Sequence, residues 1–157
     1  MAPQREHFLE LRIPPPVVAL VIGALMWFVA GRTGHWPVPP GLRLALAIAL
    51  AAAGVGVALA GVASFRRART TISPLSPQAT SALVRDGVYR YTRNPMYVGM
   101  ALCLVAWAVY LSNLPALLLV AGFVLYMNRF QVGPEERALA AHFGEAYAAY
   151  RREVRRW

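Results

Sequence analysis

The chain has 157 residues, 58% of them hydrophobic, with a mean hydropathy of +0.46 and a formal charge of +9. Soluble domains sit near about 45–50% apolar, and here the excess falls in blocks that one small core could not bury. All sixteen basic residues are arginine, set beside those blocks rather than in a basic domain of their own, which argues against nucleic acid and for a membrane surface.

Residues 1–12 are mixed and polar, and Pro14, Pro15 and Pro16 make a rigid, extended entry. A first apolar span follows over about 17–30, or from Ile13; no small-residue cleavage site closes it, so it reads as a retained anchor. The Gly- and Pro-rich stretch 31–41 breaks the helix, with Trp27 and Trp36 where interfacial aromatics belong. A second span, about 42–65, is rich in Ala and Gly; Gly54, Gly56 and Gly61 predict a face for close helix packing.

Residues 66–95 form a polar connection too long for an ordinary loop. Its Ile72, Leu75, Leu83, Val84, Val88, Tyr89 and Tyr91 predict order, and Asp86-Gly87 predicts a turn. Spans three (about 96–112) and four (about 114–130) are separated only by Asn113, which predicts a tight helical hairpin. After it, Pro134 reads as a helix start, with Glu135 and Glu136 in the first turn. Leu139, Phe143, Tyr147 and Tyr150 recur at helical spacing and predict an amphipathic tail helix on the membrane surface. The expected fold is all-α: a single polytopic membrane domain over 1–157 with about four transmembrane helices. Fourteen of the sixteen arginines then share one side, and the positive-inside rule makes that side cytoplasmic, with both ends of the chain on it.

The composition bounds the chemistry. Cys103 is alone and sits in an apolar block, and His7, His35 and His142 have no ligand spacing, so no metal is expected. None of the seven carboxylates, Glu6, Glu10, Asp86, Glu135, Glu136, Glu145 and Glu153, falls within a span, which argues against a proton-coupled exporter. The polar features gather instead at two places, GVYRYTRNPMYVG at residues 87–99 and Pro134-Glu135-Glu136. A hairpin of spans three and four must bring these together. Singly, each has a plain alternative: Arg93 holding a headgroup, Tyr89, Tyr91 and Tyr97 as an aromatic belt, the two glutamates as helix-start charges, Asn94-Pro95 as a helix start. Composition names no reaction.

SALVRDGVYRYTRNPMYVG at 81–99, with EERALAAHFGEAYAAYRREVRRW at 135–157, strongly resembles the isoprenylcysteine carboxyl methyltransferase and phospholipid methyltransferase family of integral membrane enzymes. The resemblance covers roughly residues 65–157. It implies transfer of a methyl group from S-adenosylmethionine to a lipophilic or small acceptor: an isoprenylcysteine-like carboxylate, a phospholipid amine or a thiol. The implied cofactor-binding segments are 81–99 and 129–150. Leu83 and Val84 would offer backbone groups to the adenine end; Tyr89, Asn94, Pro95 and Tyr97 would line the pocket. Glu135 would hold a polar or positive part of the cofactor, supported by Glu136. Arg93, Asn94 and Glu135 are the catalytic candidates, and Arg129 a substrate-side cation. Many family members carry Arg-His-Pro where this chain has Arg93-Asn94-Pro95, so Asn94 cannot serve as a titrating proton acceptor. The asparagine form resembles bacterial members, which implies a bacterial inner membrane. A non-catalytic membrane scaffold is the rival reading, and the oligomeric state is not fixed by sequence.

Overall fold

The structure is a computed structural model that describes residues 10–69 and 82–157. Glu6, His7, Ile72 and Leu75 fall outside the described residues. Five helices make the fold: α1 (Pro15–Ala30), α2 (Pro40–Arg67), α3 (Pro95–Leu111), α4 (Leu114–Met127) and α5 (Gly133–Glu153), with no strand among the described residues. Each helix carries a proline in its first two positions; in α1 to α4 the missing N–H there has no intrahelical partner to lose.

The helices pack α1 on α3 and α4, and α2 along α3. Large apolar side chains point outward: Leu20, Trp27, Ile48, Leu59, Leu118 and Leu125 are all exposed. Such an outward apolar surface is what a bilayer, and not water, tolerates. Two helical runs are long and apolar enough to cross a membrane, Pro40–Arg67 and the continuous Leu114–Glu153; Pro15–Ala30 and Pro95–Leu111 are shorter apolar helices. At 16 and 17 residues, these two reach roughly 24–26 Å.

Glycine sets the α2–α3 distance. A Cβ at Gly54 would lie 2.7 Å from the Gly99 carbonyl oxygen, and one at Gly99 would lie 2.5 Å from that of Gly54. Gly61 also packs closely, against Met96 and Pro95, whereas Gly56 has nothing within 4 Å. Two of the three expected α2 glycines therefore form the packing face, and the partner of Gly54, Gly99, sits on α3.

The two ends of the bundle differ in chemistry. At one end Asn113, fully buried, caps α4 by accepting from Ala116 N at 2.8 Å and donates to Thr33 Oγ1 and Gly34 O. Trp36 N donates to Ser112 O, which pins the first loop to the hairpin turn. Ser112 takes φ +49 to make that turn, so the tight hairpin is present. At the other end lie residues 10–14, 64–69, 82–95 and 128–157, held together by Leu11 N to Phe130 O, Phe65 against Tyr89, and Arg93 to Glu136. This is the arginine-rich end.

The passage from α4 to α5 departs from expectation. The helix does not break and restart at Pro134; it continues through a π-helical turn, Asn128–Val132. Pro134 cannot donate to the carbonyl of Phe130, four residues back, and its ring would collide with it. The wider turn relieves the collision, with Gly133 N reaching back to Asn128 O, and the released Phe130 carbonyl accepts Leu11 N at 3.0 Å. Glu135 and Glu136 thus lie within a continuous helical run rather than at a free helix start, so the helix-start explanation of their charge does not hold.

The tail stripe also turns out differently. α5 kinks at Gly144, whose φ +52 and ψ −125 suit only glycine. Tyr147 and Tyr150 are buried beside Val154, with Leu83, Leu139 and Phe143 packed against them. The apolar stripe faces the protein's own 82–90 segment. Of the two tyrosines expected to help order the 66–95 connection, Tyr89 is buried while Tyr91 is 78% exposed.

Gly54→Ala should lower the thermal unfolding midpoint in detergent, with a destabilisation of about 1–3 kcal/mol from overpacking. Gly56→Ala, which meets no neighbour, should leave the midpoint unchanged or raised.

Candidate functional site

The arginine-rich end of the hairpin gathers Arg93, Asn94, Tyr97, Glu135 and Glu136. Sequence places the first three around the start of α3 and the last two beyond α4, and the hairpin returns one to the other. Asp86-Gly87 makes the expected turn, with Gly87 at φ +64. A short 3₁₀ turn, Gly87–Arg90, then delivers the chain to α3.

Glu135 and Glu136 are neighbours on one helix, so their side chains diverge by about 100°. Glu136 turns toward Arg93 and Arg156. Arg93 Nη2 donates to its Oε1 at 2.7 Å, and both side chains are only 9% exposed. Arg156 donates from Nε to Oε1 at 3.0 Å and from Nη2 to Oε2 at 2.5 Å. Burial alone would raise the Glu136 pKa, but the hydrogen bonds and charges of Arg156 and Arg93 outweigh it and hold the carboxyl below its usual range. Glu136 is therefore a fixed anion. Arg93 also donates to the carbonyls of Arg151 and Val154, satisfying the end of α5.

Glu135 turns toward α3. Its Oε1 accepts from Tyr97 Oη at 2.5 Å and from Gln131 Nε2 at 2.7 Å. Its Oε2 carries no hydrogen bond among the described residues. Burial pushes the Glu135 carboxyl up to about 7; the bonds from Tyr97 and Gln131 offset part of this, and the charge of Glu136 adds to it. Tyr97 is buried, which removes it from any aromatic belt. Tyr89 is buried as well, with its carbonyl accepting Tyr150 Oη at 2.7 Å. Burial raises the pKa of Tyr89 and Tyr150, and that of Tyr147 to about 12, so all three are neutral at physiological pH.

The other expected residues are placed as follows. Asn94 sits at the start of α3 without capping it; its Nδ2 donates to Arg156 O at 2.9 Å. Pro95 is buried. Leu83 packs under α5 and Val84 is buried nearby. Arg129 lies on the π-helical turn and pairs with Glu10 at 2.8 Å, and Arg137 pairs with the same carboxylate. Arg129 is thus committed to the N-terminal segment in this form. Sequence reasoning did not single out Gln131, Arg156, Trp157 or Glu10. Gln131 stands four residues before Glu135, a helical spacing visible in hindsight; Arg156 was hidden among the tail arginines.

Beside this site, α1 and α2 stand apart over α3 and leave an apolar groove of about 770 Å³. Gly99, Met100 and Cys103 contribute to its floor, and Trp27 and Trp107 mark its far end. Gly99 follows Tyr97 by two residues, roughly 3 Å of helical rise.

Glu136→Ala should destabilise the fold by roughly 3 kcal/mol, because it strands a buried guanidinium. The check is the unfolding midpoint in detergent. Since Glu136 has a depressed pKa, its contribution is present above the ordinary carboxylate pKa and lost as pH falls through the depressed value; the variant should lose that part of the acid sensitivity. Glu145→Ala, which removes an exposed pair with Arg152, should leave the midpoint unchanged.

Comparison with known proteins agrees with the geometry. The sequence profile of the phospholipid methyltransferases matches residues 42–146. Over 62 residues, 40% of this chain and 98% of the relative, the chain is 44% identical to an uncharacterized protein of Haemophilus influenzae. Over 75 residues, 46% of this chain, it is 36% identical to the protein-S-isoprenylcysteine O-methyltransferase of Schizosaccharomyces pombe, and that stretch is 30% of the yeast protein. No solved structure matches. The profile match runs from the start of α2, through Arg93, Tyr97, Glu135 and Glu136, to just beyond the kink of α5, and the chain belongs to the phospholipid methyltransferase family.

Proposed function

We propose that this chain is a four-span integral membrane methyltransferase that moves a methyl group from S-adenosylmethionine to a lipophilic acceptor at the cytoplasmic face. The observation that carries the reading is Glu135: a carboxylate with one oxygen fixed by Tyr97 and Gln131 and the other with no hydrogen bond among the described residues. Family membership supports the methyl donor. The gathering of the arginine-rich segments at the same end as the site supports the cytoplasmic placement.

The residues present fit a cationic cofactor. When bound, S-adenosylmethionine supplies an electrophilic methyl carbon on a positively charged sulfur. Glu135 offers a carboxylate for a positive part of that molecule, and Tyr97 holds the carboxylate at a fixed orientation. Glu136 has both oxygens taken by two arginines, which leaves Glu135 as the carboxylate offered to the cofactor. Tyr89 contributes a buried, neutral wall. No residue here needs to form a covalent bond. Positioning in a dry site can supply the rate, provided acceptor atom and methyl carbon are held in line. A carboxylate or thiolate acceptor needs no base, whereas an amine must arrive neutral. The apolar groove on α3 suits an acceptor carrying a hydrocarbon chain that enters from the bilayer. An isoprenylcysteine-like carboxylate and a phospholipid amine are the leading classes, with small thiols third.

Because Glu135 favours the positive ground state as much as the transition state, it acts on affinity more than on rate. Calorimetry in detergent should show the protein binding S-adenosylmethionine. Glu135→Gln should weaken that binding by about tenfold, the scale of one charge-assisted hydrogen bond, and change kcat less. Glu135 ionises near pH 7 in the free protein, so affinity should rise from about pH 6 to about pH 8, and the dependence should vanish in Glu135→Gln. Its raised pKa has the opposite effect on the fold: stability is fully present below the ordinary carboxylate pKa and declines as pH rises through about 7. Labelled methyl transfer to prenylcysteine analogues, phosphatidylethanolamine and simple thiols then ranks the acceptors. A folded protein that binds no cofactor would leave the scaffold reading in place.

A further inference from the structure

Residues 154–157 do more than end α5. Val154 turns the chain into extended backbone, φ −119 and ψ 133, and the segment runs back across the start of α3. Arg93 N donates to Arg155 O at 3.0 Å. Thr92 Oγ1 and Asn94 Nδ2 both donate to Arg156 O, at 3.0 and 2.9 Å. The Arg156 guanidinium takes both oxygens of Glu136. Trp157 Nε1 donates to Asn128 Oδ1 in the π-helical turn at 2.9 Å, and its ring packs on the main core. Four consecutive residues thus tie together the 92–94 segment, α5 and the π-helical turn.

These three parts share one geometric task. The phase of α5 relative to α3 decides whether Glu135 meets Tyr97. The π-helical turn sets that phase from one side, and the anchoring of Glu136 sets it from the other. Arg156 holds the second and Trp157 holds the first.

We propose that residues 154–157 are a clasp that shapes the cofactor site, with Arg156 and Trp157 as positioning residues that hold Glu135 against Tyr97 through Glu136 and Asn128. The proposal rests on the methyltransferase reading above. It also redistributes roles within the site. Arg93 gives its guanidinium to Glu136 and to the carbonyls at the end of α5, and Asn94 gives its amide protons to the clasp. Both build the wall of the site, and Glu135 is left as the carboxylate that touches the cofactor.

The test is calorimetric titration of the full chain in detergent with S-adenosylmethionine, beside unfolding midpoints and steady-state kinetics. Arg156→Ala should weaken binding by about tenfold or more, the effect of misplacing one charged contact. Its kcat at saturating cofactor should stay within about twofold, because the site re-forms around bound ligand. Arg156→Lys should recover part of the affinity, and Trp157→Phe, which removes only the indole donor, should weaken binding by about threefold. Arg152→Ala, on the exposed face of α5, should bind as the unaltered protein does. A lowered midpoint or kcat with unchanged affinity in Arg156→Ala would reduce the clasp to a structural tie and overturn the proposal. If Arg156→Ala does not fold, wild-type affinity in Trp157→Phe overturns it instead. Unaltered protein that binds no cofactor would sink the methyltransferase reading itself, together with the clasp's part in it; binding that the variants leave intact sinks the clasp alone.

Discussion

The ion cluster of buried Arg93 and Glu136 with half-buried Arg156 is the constraint on which the polar end of this molecule depends. Arg93 stands just before α3, Glu136 just after the π-helical turn, and Arg156 at the far end of the tail. Burying charge carries a heavy desolvation penalty, which only close and complete pairing recovers. Here both Glu136 oxygens are used, and Arg93 also donates to the Arg151 and Val154 carbonyls. Those carbonyls are the unsatisfied acceptors at the end of α5, so the arginine also does the work of a helix cap. Loss of Glu136 would leave the buried Arg93 guanidinium without its counter-charge. That makes the cluster a device for geometry more than a source of net stability.

Within the apolar part the governing force is different. Lipid tails are as apolar as leucine, so the spans gain little from burying side chains against each other. What holds α2 to α3 is close backbone approach, made possible by Gly54 and Gly99. The tight contact on that side has a counterpart on the other: α1 and α2 do not close over α3, and the apolar groove remains between them. One helix, α3, therefore serves both chemistries. The segment leading into it carries Arg93, its first turn carries Tyr97, and the next turns carry the glycine contact and the floor of the groove.

The apolar helices were legible in the sequence because long apolar runs are conspicuous, and two of the resulting runs, Pro40–Arg67 and Leu114–Glu153, are long and apolar enough to cross a membrane. The α2 and α3 helices extend within two residues of their expected ends. The meeting of the Arg93–Tyr97 stretch with Glu135 and Glu136 was legible for a topological reason, since a hairpin with Asn113 as its turn leaves no alternative. What was not legible depends on details of the backbone path. Pro134 looks like a helix start, and only the structure shows the helix absorbing it by widening at Asn128–Val132. Leu139, Phe143, Tyr147 and Tyr150 have the spacing of a surface helix, but spacing does not say whether lipid or protein covers the stripe. Arg156 looked like one more solvated arginine among four. Its pairing with Glu136 spans twenty residues along a kinked helix, and no periodic pattern signals that.

The two adjacent glutamates show how little separates a structural from a functional carboxylate. Glu135 and Glu136 have the same chemistry and differ by one residue. A rotation of about 100° sends Glu136 to two guanidinium groups and Glu135 to a phenol and an amide. The first is pushed below its usual pKa and fixed as an anion; the second is raised toward neutrality, so that it titrates near pH 7. The extra residue of the π-helical turn decides which glutamate goes where, because each added residue rotates everything beyond it by the same angle. Without that turn Glu135 would approach the direction now held by Glu136, and the arginines would face a different side chain. Pro134, by forcing the turn, is then the residue through which the sequence assigns the two roles.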